Sequence, residues 1–173
     1  MKRLFILLLL HFIPGAITAQ ENTEIVAVRD TIVEVVYPEP RGAVSDFEDI
    51  FSESQIGELE DIITSFNKRT GHQIAVASIP SIEPLKTFDE YAIGLSNYWG
   101  VGNADKDDGL TFFFSKGLRQ MRISSGYGTR NIISDAQCQE VLNSIVIPQF
   151  KNGEFYPGVR NALLELIKIW NER

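Results

Sequence analysis

Cysteine is nearly absent. The 173 residues hold one, Cys138, so no disulfide can close within the chain. Histidine is almost as scarce: of the two, His11 lies in an N-terminal apolar run, which leaves His72 alone in the remainder. Zinc centres need several cysteine or histidine ligands together, and a lone histidine reads instead as surface or strand-edge packing. Basic residues are outnumbered, 16 Lys and Arg against 23 Asp and Glu, for a net charge of −7. That excess has the wrong sign for a phosphate backbone and argues against nucleic acid as a partner. Ser124 and Ser125 have no histidine–acid pair to activate them. Cys138, on a helix beside Val141 and Leu142, reads as a small core residue rather than a nucleophile.

The long apolar stretch that is present comes first. MKRLFILLLLHFIPGAITAQ has a basic start at Lys2 and Arg3, an apolar run from Leu4 to Ile13, and a small-residue end from Ala16 to Ala19. This reads as a signal peptide over residues 1–19, too short and wrongly flanked to span a membrane. Its removal would take two basic residues and no acidic ones, leaving a net charge of −9. The absence of a cysteine at the cut argues against a lipid anchor. The expected product is exported, periplasmic or secreted, with no transmembrane helix in the mature chain.

Residues 20–43 read as a leader or linker. The β-branched run from Ile25 to Val36 could supply an edge strand, and Pro38 and Pro40 then break it. The folded domain is expected over 44–173. Ser52 and Gln55 form a capping box ahead of Ile56, Leu59, Ile62, Ile63 and Phe66 at helical spacing, and Gly71 ends that helix. QIAVASI (73–79) is a short apolar strand. Thr87 and Glu90 cap a second helix through Trp99. LTFFFS (110–115) and QMRISSG (120–126) read as a hairpin about KGLR. A helix follows from Ser134 to a stop at Pro148, and a last one from about Pro157 to Trp170. This order predicts an α/β fold, a three-layer α/β/α sandwich around a small mixed sheet.

The chemistry concentrates in WGVGNADKDDGL (99–110), where Asp105, Asp107 and Asp108 precede a buried strand. If the hairpin pairs position i with 235 − i, Gly109 faces Gly126 and Asp108 faces Tyr127. The acidic loop and Gly126-Tyr127-Gly128 then share one sheet edge. Glycines there allow backbone to approach a ligand closely, and the carboxylates are hard oxygen donors suited to Ca²⁺ or Mg²⁺. The rival reading is a plain turn, because aspartate and glycine favour turns for conformational reasons alone and the spacing lacks the calcium-loop glutamate. Arg122, in a strand otherwise apolar or small, either pairs with a carboxylate or helps hold a phosphate.

Four segments, in order, resemble the TPM domain family of exported or membrane-tethered bacterial proteins and their thylakoid-lumen relatives. VSDFEDIFS (44–52) resembles the family opening valine-x-aspartate-x-alanine-glycine-x-leucine-serine, with Glu48 and Asp49 in place of alanine and glycine. WGVGNADKDDGL resembles tryptophan-glycine-isoleucine-glycine followed by aspartate-asparagine-glycine, with Asp107 at the aspartate and Asp108 where asparagine is usual. RISSGYGTRNIISDA (122–136) shares Arg122, Gly126, Gly128 and Asp135 with the family pattern, while Thr129 and Arg130 depart from it. PQFKNG (148–153) resembles the proline-x-phenylalanine-x-x-glycine near the family's end.

The resemblance implies the same sandwich, and an acidic cleft that binds divalent cations. It also implies a phosphatase activity proposed for some members; the alternative reading of this chain is a non-enzymatic module that binds an envelope or membrane protein partner and helps maintain membrane proteins. It brings Asp46 into the candidate set with Asp105, Asp107 and Asp108. A helical crossover that makes strands 73–79 and 110–115 parallel would instead put Asp46 at the other sheet edge. Both readings of Asp46 stand at this level.

Overall fold

The computed structural model describes residues 23–28, 31–103 and 105–171. The expected signal peptide lies outside them. A two-stranded antiparallel hairpin comes first, β1 (Thr23–Val28) and β2 (Thr31–Val36). The main sheet holds β3 (Val44–Asp46), β4 (Gln73–Ser78), β5 (Gly109–Ser115) and β6 (Gln120–Ser125), in the order β3-β4-β5-β6. β3, β4 and β5 run parallel, and β6 returns antiparallel to β5. The sheet is therefore mixed.

Helices cover both faces. α1 (Glu53–Thr70) starts at the Ser52–Gln55 capping box and ends on Gly71 at φ 78°. It packs on one face together with α6 (Phe155–Asn171), and Leu59, Ile63 and Phe66 meet Val76, Phe112 and Phe114 there. α2 (Phe88–Trp99) covers the other face, where Phe88, Tyr91, Ala92 and Leu95 pack on Ala75, Ala77 and Phe113. Phe112, Phe113 and Phe114 alternate between the two cores because successive strand side chains point to opposite faces. The continuous apolar run of β5 is thus the mark of a strand buried on both sides.

Three features differ from the sequence expectation. The stretch 35–38, within the expected leader or linker, packs against α2. Val35 and Tyr37 are buried, the Tyr37 ring sits 5.2 Å from that of Tyr91, and Trp99 Nε1 donates to the Pro38 carbonyl at 2.7 Å. Asp46 belongs to a strand, β3, that three residues are too few to reveal by periodicity. Pro148 does not stop the helix before it. A π-turn, Leu142–Val146, joins α4 (Asp135–Val141) to α5 (Ile147–Lys151). Pro148 sits in the first turn of α5, where a missing N–H leaves fewer bonds unmade. A four-residue helix, α3 (Tyr127–Arg130), follows β6 directly.

Candidate functional site

The parallel register sorts the candidate residues between the two ends of the sheet. Gln73 pairs with Gly109 at one end, and Asp46, Ser78 and Phe114 are level at the other. Five residues at about 3.3 Å each put roughly 16 Å between them. Asp46 therefore lies at the sheet end away from Asp105, Asp107 and Asp108, one of the two placements left open by the sequence.

At the acidic end the hairpin follows the 235 − i register, from Leu110 opposite Ser125 to Ser115 opposite Gln120. Gly126 donates its N–H to the Gly109 carbonyl at 2.9 Å. Beyond that pair the ladder turns into α3, and Asp107 rather than Asp108 meets the glycine segment. The Asp107 carboxylate accepts the Tyr127 N–H at 2.9 Å, and its carbonyl accepts the Gly128 N–H at 2.9 Å. A β-carbon on Gly126 would collide with the Asp107 carbonyl oxygen, and one on Gly128 with that of Lys106. Both positions are glycine because two backbones cross there. Asp107 itself is exposed and left-handed, with φ 48°.

Asp108 plays a different part. It is 5 % exposed. Its Oδ1 accepts the Asn103 N–H at 2.8 Å, which closes the loop on itself, and its Oδ2 lies 3.0 Å from His72 Nδ1. Burial pushes its carboxyl up, but the Asn103 N–H and the hydrogen bond and charge of His72 outweigh that and hold it below its ordinary value. The His72 ring stacks on Trp170 with centroids 4.8 Å apart, and Phe66 lies on the same cluster at 6.2 Å. His72, read from the sequence as edge packing, is both that and the partner of Asp108. The signal that could have found it is the register: if Gln73 faces Gly109, the residues just before each are neighbours.

Asp105 is exposed in the same loop, and Tyr127 is 77 % exposed, with Arg130 over its ring at 5.1 Å. Among the described residues, no three His, Cys, Asp or Glu side chains are arranged to hold a metal ion. Arg122 lies elsewhere. It pairs with Phe113 in the ladder, reaches Asp89 of α2 at 3.0 Å, and donates from Nε to Ser124 Oγ at 2.6 Å.

At the opposite end Asp46 is 4 % exposed and fully used. Its Oδ1 accepts from Ser78 Oγ at 2.5 Å and from the Glu48 N–H at 3.3 Å, and its Oδ2 accepts the Phe51 N–H at 2.7 Å. It ties β3 to β4 and to the approach of α1. Glu48, the departure from the family's alanine, accepts the N–H groups of Lys116 and Gly117 at 2.9 and 3.0 Å and so caps the β5–β6 turn. Asp49, the departure from the family's glycine, has φ 52°. The glycine in the family pattern is accounted for by that left-handed backbone.

A membrane-spanning helix is missing among the described residues, where none is long and apolar enough to cross. Among curated proteins none matches the chain. Solved structures do. The N-terminal domain of a protein from P. gingivalis superposes with a TM-score of 0.67 at 23 % identity, over 75 % of this chain and 82 % of that one. The BA42 protein of the psychrophilic bacterium Bizionia argentinensis gives 0.62 at 18 % identity, over 73 % and 85 %. The N-terminal domain of the cg2496 protein of Corynebacterium glutamicum gives 0.55 at 17 % identity, over 82 % and 86 %. At such identities the likeness is one of fold. The family model described as the TPM domain matches residues 44–169, which include all four segments whose resemblance was read from sequence, and this chain belongs to the TPM domain family.

Proposed function

We propose that the chain is an exported TPM-domain protein that works by binding, and that its acidic edge loop takes a divalent cation, Ca²⁺ or Mg²⁺. The observation that carries this reading is Asp107. It is exposed, fixed by the Tyr127 and Gly128 N–H groups, and set beside exposed Asp105. Asp108 and His72 position the loop from beneath and are not ligands in this reading. Two carboxylates, with carbonyls and water completing the shell, make a weak site, in the range of roughly 10⁻⁴–10⁻³ M found for extracellular calcium modules. The apolar leader with its basic start supports export.

Binding ranks above phosphate-ester hydrolysis because the buried carboxylates at both sheet ends are spent on N–H and hydroxyl groups, and the one hydroxyl among these, Ser78, is itself buried at 1 % exposure. Titration with Ca²⁺ or Mg²⁺ to millimolar is expected to move the amide signals of residues 105–109 and 126–128. Signals that stay still there sink the proposal. Turnover of a phosphomonoester that needs the metal and vanishes in Asp107→Ala would replace binding with catalysis. A second reading, an envelope or membrane protein partner, is favoured by Tyr127, whose exposed ring stands beside the loop. A photo-crosslinker at position 127 that captures nothing in intact cells would remove it.

A further inference from the structure

We propose a second binding site, at the other end of the sheet, for an anionic amphiphile: a single phosphate or carboxylate head joined to an apolar body. A cleft of about 1100 Å³ opens there between the β5–β6 turn, the amino end of α2 and the π-turn with α5. Its size is that of small-molecule sites, which are mainly apolar with a few polar groups that fix orientation.

Four cations line it, Lys86, Lys116, Arg119 and Lys151, against one carboxylate, Asp89, which is already paired with Arg122. In a chain of net charge −7 this is a local reversal of sign. The four come from three separate elements, so the fold, not one basic run, gathers them. The amino end of α2, a helix of 12 residues, adds its positive dipole end.

Much of the remaining lining is apolar, Met121, Leu142, Ile147, Phe150 and Phe155, with Ser115, Gln120 and Gln139 as neutral polar groups. Lys116 Nζ lies 5.5 Å above the Phe155 ring, so cation and aromatic surface meet within one side-chain contact. Leu142 belongs to the π-turn, a helix distortion that recurs at functional sites. A purely anionic ligand would leave this apolar surface wet, and an uncharged one would leave four cations unmatched. A bilayer is the poorer fit, because the apolar lining residues are buried or half-buried within a cleft while the cations are exposed.

Dodecyl phosphate below its micelle-forming concentration is the probe, added to the protein while amide spectra are recorded. Saturable shifts are expected at 86–89, 115–121 and 150–155, with dodecyl maltoside and inorganic phosphate each binding far more weakly. Lys116→Glu with Lys151→Glu is expected to weaken dodecyl phosphate about tenfold or more, the effect of reversing two exposed charges. If that pair disturbs the spectrum as a whole, Arg119→Glu at the hairpin tip, outside the core, reads the same effect in smaller measure. Equal binding of inorganic phosphate, equal binding of the maltoside, shifts seen only with anionic vesicles, or no shifts at all would each overturn the proposal. The amides read here are not those read in the cation titration, so either site can fail alone.

Discussion

The two ends of the sheet use the same residue type for opposite purposes. At the β5 amino end, aspartates stand in a loop: Asp105 and Asp107 exposed, Asp108 buried under them and held by Asn103 and His72. At the carboxyl end, Asp46 is buried with three donors on its two oxygens, and Glu48 clasps the hairpin turn. There Asp46 and Glu48 turn inward to N–H groups, while Lys116, Arg119 and Lys151 stand exposed. Asp46 and Glu48 are thus scaffold, as is Asp108 beneath the loop, while Asp105 and Asp107 stand at the surface. A count of acidic residues, or a family pattern that includes Asp46 and Asp107 alike, cannot separate these roles. The hydrogen-bond partners can.

The sharpest way to break this comparison is Asp46→Ala. It would strand the Ser78 hydroxyl and the Phe51 N–H, while the Glu48 N–H keeps Ser78 Oγ as its acceptor at 3.0 Å. Each orphaned donor costs on the order of 1–3 kcal/mol, so a loss of about 3–5 kcal/mol is expected in urea unfolding. A loss under about 1 kcal/mol would show that Asp46 is not a scaffold residue and would reopen its place in a ligand site.

Asp108→Asn asks how much the acidic end depends on charge. The folded carboxyl titrates below its ordinary value, so its contribution is fully present above the unfolded value near 4 and is lost as pH falls through the lower folded value. The amide keeps the shape and an acceptor but not the charge. A deficit of about 1–2 kcal/mol is expected at neutral pH, the worth of charge-assisted over neutral hydrogen bonding. It should begin to close as the pH falls below about 4 and vanish below the lower folded value, where the wild-type carboxyl is itself neutral. Stability curves of the two proteins that stay parallel from pH 7 to pH 3 would contradict this.

How much of this was legible in sequence follows from range. The hairpin register was readable because KGLR fixes a short turn and both flanking strands are apolar. The crossover then made β4 and β5 parallel, which put the start of α1 at the far edge but left the place of Asp46 open. β3 was not readable, since three residues carry no period. The pairing of His72 with Asp108 was hidden because it needs the exact partners in a parallel ladder, which no turn sets. The π-turn that carries the chain past Pro148, and the cleft it borders, depend on how helices far apart in sequence settle on the sheet. Local pattern says little about that.

Asp49 offers the smallest effect and a direct test of what the family pattern encodes. Its φ of 52° is a left-handed conformation that costs an L-residue about 1 kcal/mol and glycine almost nothing. Glycine also loses more freedom on folding, which offsets part of the gain. Asp49→Gly is therefore expected to raise stability by about 0.5–1 kcal/mol, read as a shift of the urea midpoint at unchanged slope. Glu48 sharpens the point. Its carboxylate, one residue before that turn, holds the Lys116 and Gly117 N–H groups. If Asp49→Gly instead destabilises, aspartate is contributing at that turn through more than its backbone, and the carboxyl end carries a third structural carboxylate beside Asp46 and Glu48.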